Sequence, residues 1–474
     1  MQQLISCLFL LSALFAPWGL RAQEVADSIL TYQDFMRRVQ EHHPVALQAD
    51  LQTRRGAAAL QVARGAFDPK SYFDLSQKFF EGKDYYKHLE GGLAIPTWLG
   101  LTFYTGYQQT EGIFLNPEAS TPEAGLWQAG ASLTLGKGLL IDERRAAFRQ
   151  AEIFQTLTRW DRQVMLNQLL YEAGAAYLAW VEAFYARKIY EESPRLAQER
   201  TAAVAEGARL GDRASIDTVE AAIQVQTRQV SLESALLAEQ QAKVMMDLFL
   251  WQDGIVPLEA LPYQQPEDWR AVLTTLPEQE RSWLTDSLLI GHPMIQQYRL
   301  KQQSLSIEER WKKEQLKPQL DLKYNAINQP VNGNPVAAYS PDNFTWGVSF
   351  AFPLFLRKER GGLELTRVKI RETQLQQTQK MAELEVKATQ AWLLYNTLDR
   401  QIGVFTQTVQ DYQTLWQGER TRFSIGESSL FLVNTRESRY IQARIKAVEM
   451  AVKRQKAALS LEFALGRLGA TSIP

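Results

Sequence analysis

Apolar positions along the chain follow two alternating periods. From Leu384 they step by four and three through Ala388, Ala391, Tyr395, Leu398, Ile402, Phe405, Val409 and Tyr412 to Trp416. That unbroken stripe is a coiled-coil seam. A second seam runs through Ile153, Leu157, Trp160, Val164, Asn167, Tyr171, Gly174, Leu178, Val181 and Tyr185, interrupted only at Asn167 and Gly174. The pattern predicts long helices over about 139–207 and 360–421, or rods of roughly 90 to 100 Å at 1.5 Å per residue. The helices predicted beside them are about half as long: 28–66 and 216–252 around the first rod, 281–316 and 429–468 around the second. Two short helices then cover one rod, each packed antiparallel against one half of it.

Between each short leading helix and its rod the period switches to two. Leu320, Leu322, Tyr324 and Ala326 alternate with Asp321, Lys323 and Asn325, and Phe344, Trp346, Val348, Phe350 and Phe352 alternate with Thr345, Gly347, Ser349 and Ala351. Such strands have one oily face and one wet face. Four are predicted near 71–81, 85–95, 100–109 and 126–136, and two more within about 318–353.

The whole plan is written twice. His43-Pro44 precedes Pro69 by the spacing with which His292-Pro293 precedes Pro318, and GASLTLGKGLLIDERR from Gly130 answers GVSFAFPLFLRKERGG from Gly347. A repeat of this size is an architectural unit. The expected organisation is a first repeat over 23–252, a Pro-rich linker over 253–280 and a second repeat over 281–474.

Composition narrows the setting. Lys and Arg number 52 against 53 Asp and Glu, with no polybasic block, which leaves nucleic acid without an electrostatic footprint. Residues 1–22, with the apolar run LISCLFLLSALFA, read as an export signal, and the single cysteine, Cys7, lies inside it. No later stretch is apolar for the 18 or so residues that a membrane helix needs, so any membrane segment must be built of strands. The four histidines, the absence of a Gly-rich phosphate loop and the absence of an HExxH-like motif argue against catalysis, a metal site or a cofactor. His43 and His292 sit before Pro, where a helix boundary accounts for them.

A soluble sandwich shows the same alternation as a membrane barrel, and here aromatic placement decides. Trp98, Trp127, Trp346, Phe352 and Phe355 fall at or near strand ends, where a bilayer barrel carries its girdles. Loops 111–125 and 329–342 are long and the turn 95–100 is short, as in an outer-membrane barrel. Open sheet edges cannot face lipid, so six strands must share a barrel with symmetric copies, three being the smallest ring with a wide aqueous bore.

At the far end of the rods two turns are expected, near 207–215 and 422–429. The first carries Arg209, Gly211, Asp212, Arg213, Ser215, Asp217 and Glu220, the second Arg422, Gly426, Glu427, Ser428 and Ser429. Gly permits the left-handed C-cap, and a polar residue is expected to cap the helix that follows. Arg213, Asp217 and Glu220, four and three apart, share one helix face. Under threefold symmetry each becomes a ring, Asp217 favouring cations and Arg213 reaching a neighbouring carboxylate as a weak latch.

These residues resemble the TolC-like outer membrane efflux family. Gly211, Arg213, Asp217 and Glu220 match its tip motif Gly-x-Arg-x-x-x-Asp-x-x-Asp with Glu in the last place, while the second tip has Ser428, Leu432 and Thr435 at the corresponding positions. The resemblance implies a mostly α fold with β: an antiparallel coiled-coil α-helical barrel joined to a shared transmembrane β-barrel, in a homotrimer. It further implies a passive export conduit in the outer membrane, reaching through the periplasm. Its partners would be a periplasmic adaptor protein and an inner-membrane pump or ABC transporter, in tripartite efflux or type I secretion. Six strands per chain depart from the family's four, leaving an 18-strand barrel or an off-barrel hairpin. The competing reading is a periplasmic coiled-coil adaptor or scaffold without a channel.

Overall fold

The computed structural model describes residues 29–260, 264–271, 290–337 and 339–469. The expected signal, residues 261–263, most of the Pro-rich linker beyond 271, the start of the helix expected from 281, and the last five residues lie outside them.

A short strand β1 (Ile29–Leu30) leads into helices α1 (Tyr32–His42) and α2 (Pro44–Arg64). Strands β2 (Lys70–Phe80), β3 (Lys83–Pro96), β4 (Leu101–Glu111) and β5 (Leu126–Gly136) follow. The first rod is α3 (Glu143–Glu191) continued by α4 (Ser193–Arg209), and α5 (Ile216–Asp247) returns along it. Strands β6 (Trp251–Gln252), β7 (Val256–Pro257) and β8 (Gln265–Pro266) cross the waist. Then come α6 (Pro293–Glu314), strands β9 (Gln319–Asn328) and β10 (Phe344–Ala351), the second rod α7 (Arg357–Ser424) and its return helix α8 (Leu430–Ala464).

The first rod is broken where one helix was expected. Pro194 has no N–H to give the carbonyl four residues back, so the helix stops at Glu192 and restarts. Ser193 Oγ donates to the freed Tyr190 carbonyl at 2.8 Å. The two interruptions in the first seam also have a purpose. Asn167 Nδ2 donates to the Phe463 carbonyl at 3.0 Å and its Oδ1 accepts from the Leu468 amide at 3.1 Å, closing the C-terminal end of α8. At Gly174 an added Cβ would lie 2.8 Å from Leu459 Cδ2, so α3 and α8 touch there only because the side chain is missing.

Histidine acts as an N-cap at both His-Pro sites. His43 Nδ1 accepts from the Val45 amide and His292 Nδ1 from the Met294 amide, both at 3.1 Å, with Pro at the first helical position. The core lies at the middle of α3, where Tyr177 and Trp180 are fully buried among Phe35, Val39, Met246 and Val452. Tyr177 OH donates to the Leu30 carbonyl at 2.6 Å and accepts from the Glu267 amide at 3.2 Å. It thereby pins the parallel pair of β1 and β8 to the rod. Burial raises the Tyr177 phenol and pushes Tyr32 up to about 12.

Six strands form one antiparallel sheet in the order β10-β9-β5-β4-β3-β2. The β2–β3 hairpin pairs with β4 through Lys87–Pro96 and is part of the sheet. Its turn is the pair Glu81 and Gly82, with φ of 52° and 72°, a turn whose twist matches the strands.

On either side of the waist the helices lie side by side as a wall. In the half of the wall next to the sheet, α2 packs on α3, α3 on α6 and α6 on α7; in the other half, α5 packs on α3 and α4, α3 on α8, and α8 on α7. One edge of the wall is therefore β2, α2 and α5, and the other is β10 and α7.

Candidate channel wall and tip

Strand register sorts the sheet into two chemically distinct faces. Trp346 lies opposite Tyr324, Tyr324 opposite Ala131, Ala131 opposite Phe103, and Phe103 opposite Ile95. The neighbouring row runs Val348, Leu322, Leu133, Leu101. This face is apolar across the sheet and bare: Trp346 is 70% exposed, Phe350 68% and Phe73 69%. No described helix packs over it to any extent. A continuous apolar surface of this kind in water would be an aggregation site, and in lipid it is a barrel exterior.

The opposite face is polar and knit together. Asp321 accepts from Thr134 Oγ1 at 2.7 Å and from Gln319 Nε2 at 2.8 Å. Tyr104 and Ser132 hydroxyls meet at 3.2 Å, and His88 stands 3.5 Å from Glu90. Water can wet this side without leaving a polar group unpaired.

The candidate aromatics lie at the two ends of the sheet. Trp127 and Trp346 are near the end that carries the long loops, and the Trp127 ring lies 5.5 Å from that of Tyr107. Trp98, Phe352 and Phe355 are at the helix end, where Trp98 packs on Phe67 at 5.3 Å and Phe148 at 5.2 Å.

At the other extremity of the rods the two turns meet. Gly211 and Gly426 have φ of 82° and 81°, as a left-handed C-cap requires. The caps that follow differ: Ser429 Oγ accepts from the Leu432 amide, whereas Ser215 makes no side-chain cap, because its own backbone is already helical. Val204, Ala221 and Leu430 form a small core with Phe423, and the Arg213 guanidinium lies over the Phe423 ring at 4.1 Å. Within the protomer Arg213 is thus held by an aromatic ring of the second turn rather than by a carboxylate.

Arg209 pairs with Glu206 at 2.6 Å on the surface, and Arg422 donates to the Glu427 carbonyl at 3.4 Å. Asp212 and Asp217 have no side-chain partner among the described residues. Glu220 accepts weakly from Asn434 Nδ2 at 3.5 Å.

That last contact opens onto a cluster the sequence did not reveal. Glu437 is 2% exposed, takes an ion pair from Arg200 Nη1 at 2.8 Å and leaves Oε1 without a hydrogen bond. Arg200 also donates to Asn434 Oδ1 at 2.5 Å, and Arg228 Nη2 to Ser438 Oγ at 2.6 Å. Burial draws the Arg228 guanidinium below its usual range, with Glu437 pulling the other way. The cluster stitches the first hairpin to the second. Its sequence signal was Asn434 and Glu437 standing beside Leu430, Val433 and Ile441 on the buried stripe of α8. A cleft of about 720 Å³ lies beside it, lined by Arg200, Arg213, Trp416, Arg420 and Phe423.

Residues 284–467 match the profile of the family described as outer membrane efflux protein. The whole architecture superposes on crystal structures of outer-membrane channels. The Campylobacter jejuni CmeC channel aligns at TM-score 0.67 with 12% identity, over 94% of this chain and 87% of that one. This is the TolC-like fold. The Neisseria gonorrhoeae MtrE channel in its open state gives TM-score 0.66 and 14% identity over 93% and 91% of the two chains. The Vibrio cholerae outer membrane protein VceC gives 0.64 and 12% over 92% and 96%. No curated protein matches by sequence. The TolC-like fold extends over nearly the whole chain, and the match to the efflux profile covers residues 284–467.

Proposed function

We propose that three copies of this chain close edge to edge into an export channel, an open sheet of six strands from each completing an 18-stranded barrel. The observation that carries this reading is that both edges of the wall are unpartnered and apolar along their length. On α7, Val368, Leu375, Val386, Leu393, Val404 and Leu415 are exposed on the side of the rod opposite the buried seam of Leu384, Ala388, Ala391 and Tyr395. On α5, Ile216, Ile223, Val230, Leu237 and Val244 recur every seven residues, all more than half exposed. An exposed heptad beside an exposed rod stripe is a coiled coil waiting for its partner. The two remaining backbone edges, β2 and β10, are unsatisfied in lipid until they pair with another chain. A ring satisfies both demands at once.

The polar sheet face then lines a water-filled bore, the aromatics at the two ends of the sheet sit at the two membrane interfaces, and the paired tips close the far end. The channel is a passive conduit from periplasm to exterior, and it works with a periplasmic adaptor and an inner-membrane pump or transporter. Asp217, without a side-chain partner among the described residues, forms the ring that prefers cations, and Arg213, stacked on Phe423, is available to move. An adaptor or scaffold without a channel leaves the bare apolar sheet unexplained.

Two measurements test this. Cys7 is the sole native thiol, so Val230→Cys with Val404→Cys and a bismaleimide should give a covalent ladder ending at three. Purified protein should raise conductance in a planar bilayer, with cation preference reduced in Asp217→Ala. A water-soluble, non-conducting monomer overturns the channel. An Asp217→Ala channel with unaltered selectivity overturns only the tip assignment.

A further inference from the structure

The two ends of the sheet carry opposite charge. At the end joined to the helices, segments 64–70, 137–149, 312–317 and 357–360 hold twelve Lys or Arg against five Asp or Glu. At the opposite end, segments 81–84, 111–125 and 329–343 hold one Lys against six Asp or Glu. A chain whose total charge is −1 has thus gathered positive charge into one collar.

The collar also bares large apolar side chains. Leu354 is 86% exposed, Phe355 72% and Leu99 72%. Four of its cations stand over aromatic rings: Lys312 over Trp311 at 4.2 Å, Arg149 over Trp98 at 5.9 Å, Arg144 over Phe67 at 5.8 Å and Arg357 over Phe355 at 5.2 Å. Leu356, in the left-handed conformation with φ of 49°, turns the chain sharply between Phe355 and Arg357. An aromatic body with a cation above it suits one boundary, with acyl chains below and phosphate above.

We infer that this collar binds the headgroups of anionic phospholipids in the leaflet facing the helices, fixing the depth and direction of insertion. The inference rests on the membrane reading of the sheet and adds a lipid class to it. Basic groups at an anionic surface each contribute about a fivefold preference, weakened by salt. The acidic end, with one Lys against six Asp or Glu, offers no net attraction of that kind, so an inverted chain would forfeit it.

The test uses full-length trimer equilibrated in bilayers of phosphatidylcholine with phosphatidylglycerol. Lipid that stays bound on re-extraction is then measured by mass spectrometry. The wild type is expected to enrich phosphatidylglycerol several-fold over the bulk bilayer, less so at high salt. The exposed set Arg357→Gln, Lys358→Gln and Arg360→Gln should lower that enrichment by about twofold to fivefold, and Glu118→Gln with Glu123→Gln should leave it alone. Membrane insertion, read as resistance to alkaline extraction, should be intact in both. Equal retention of the two lipids by the wild type overturns the inference, as does enrichment that survives the triple variant or falls equally in the acidic-end control. Failure to insert at all overturns the membrane reading instead.

Discussion

The two rods are of nearly equal length and opposite burial. In α3, 17 of 49 residues are buried, because α1, α2, α5, α6 and α8 all lie against it. In α7, 8 of 68 are buried, because among the described elements α6 and α8 alone pack along it to any extent. The first rod is the spine of the protomer, covered within one chain, whereas the second is, in the proposed ring, half an interface. A helix of such length with one dry side is stable alone only to the extent that a neighbour covers the other.

Substitutions can break or sharpen that contrast. Trp180→Ala, at the fully buried centre of α3, should cost about 3 to 5 kcal/mol of protomer stability, read from thermal melts of detergent-dispersed monomer. Val404→Ala, 74% exposed on α7, should change the same melt by less than about 0.5 kcal/mol while weakening the trimer. If the two variants behave alike, the rods are equivalent and the edge argument fails.

Between the hairpins, Glu437→Ala should cost about 3 to 5 kcal/mol, since it strands Arg200 and Arg228 at a largely dry contact. Urea midpoints would measure it. A neutral result would mean that water reaches the cluster.

Acid should loosen α6 at its start. Burial, with Lys380 nearby, lowers the His292 imidazole from 6.5 to about 4 in the folded chain. The unfolded chain therefore binds the proton first as pH falls. The contribution of His292 is complete above pH 6.5 and is lost on descending to about 4, by up to about 3 kcal/mol. His292→Asn keeps a cap acceptor and should flatten that part of the profile.

The smallest difference separates the tips. Ser429→Ala should cost about 1 kcal/mol by removing a working cap, while Ser215→Ala, where no cap is made, should cost much less. Paired melts of the two variants decide it.

Much of this was legible in residue spacing. The seam from Leu384 to Leu398 is the buried face of α7, and strand alternation gave both faces of the sheet, because period and side-chain direction are local properties of backbone geometry. The break at Pro194 was not read from spacing, since one helix was expected over 139–207 and only the missing N–H at that position divides it. Nor was Ser215, because capping depends on backbone angles that its identity leaves open.

The reason for Asn167 and Gly174, and the partnership of Glu437 with Arg200 and Arg228, needed the folded chain. Asn167 meets Phe463 across 296 residues and Arg228 meets Ser438 across 210. Spacing shows such residues only as polar or small interruptions of an apolar stripe, and nothing local to either end identifies the distant partner. The sequence by itself determined the rods, the strands and which face of each is apolar. Only the tertiary structure decided which apolar faces the chain covers for itself and which it leaves for lipid or for another copy, since burial belongs to the packed arrangement and not to any one segment.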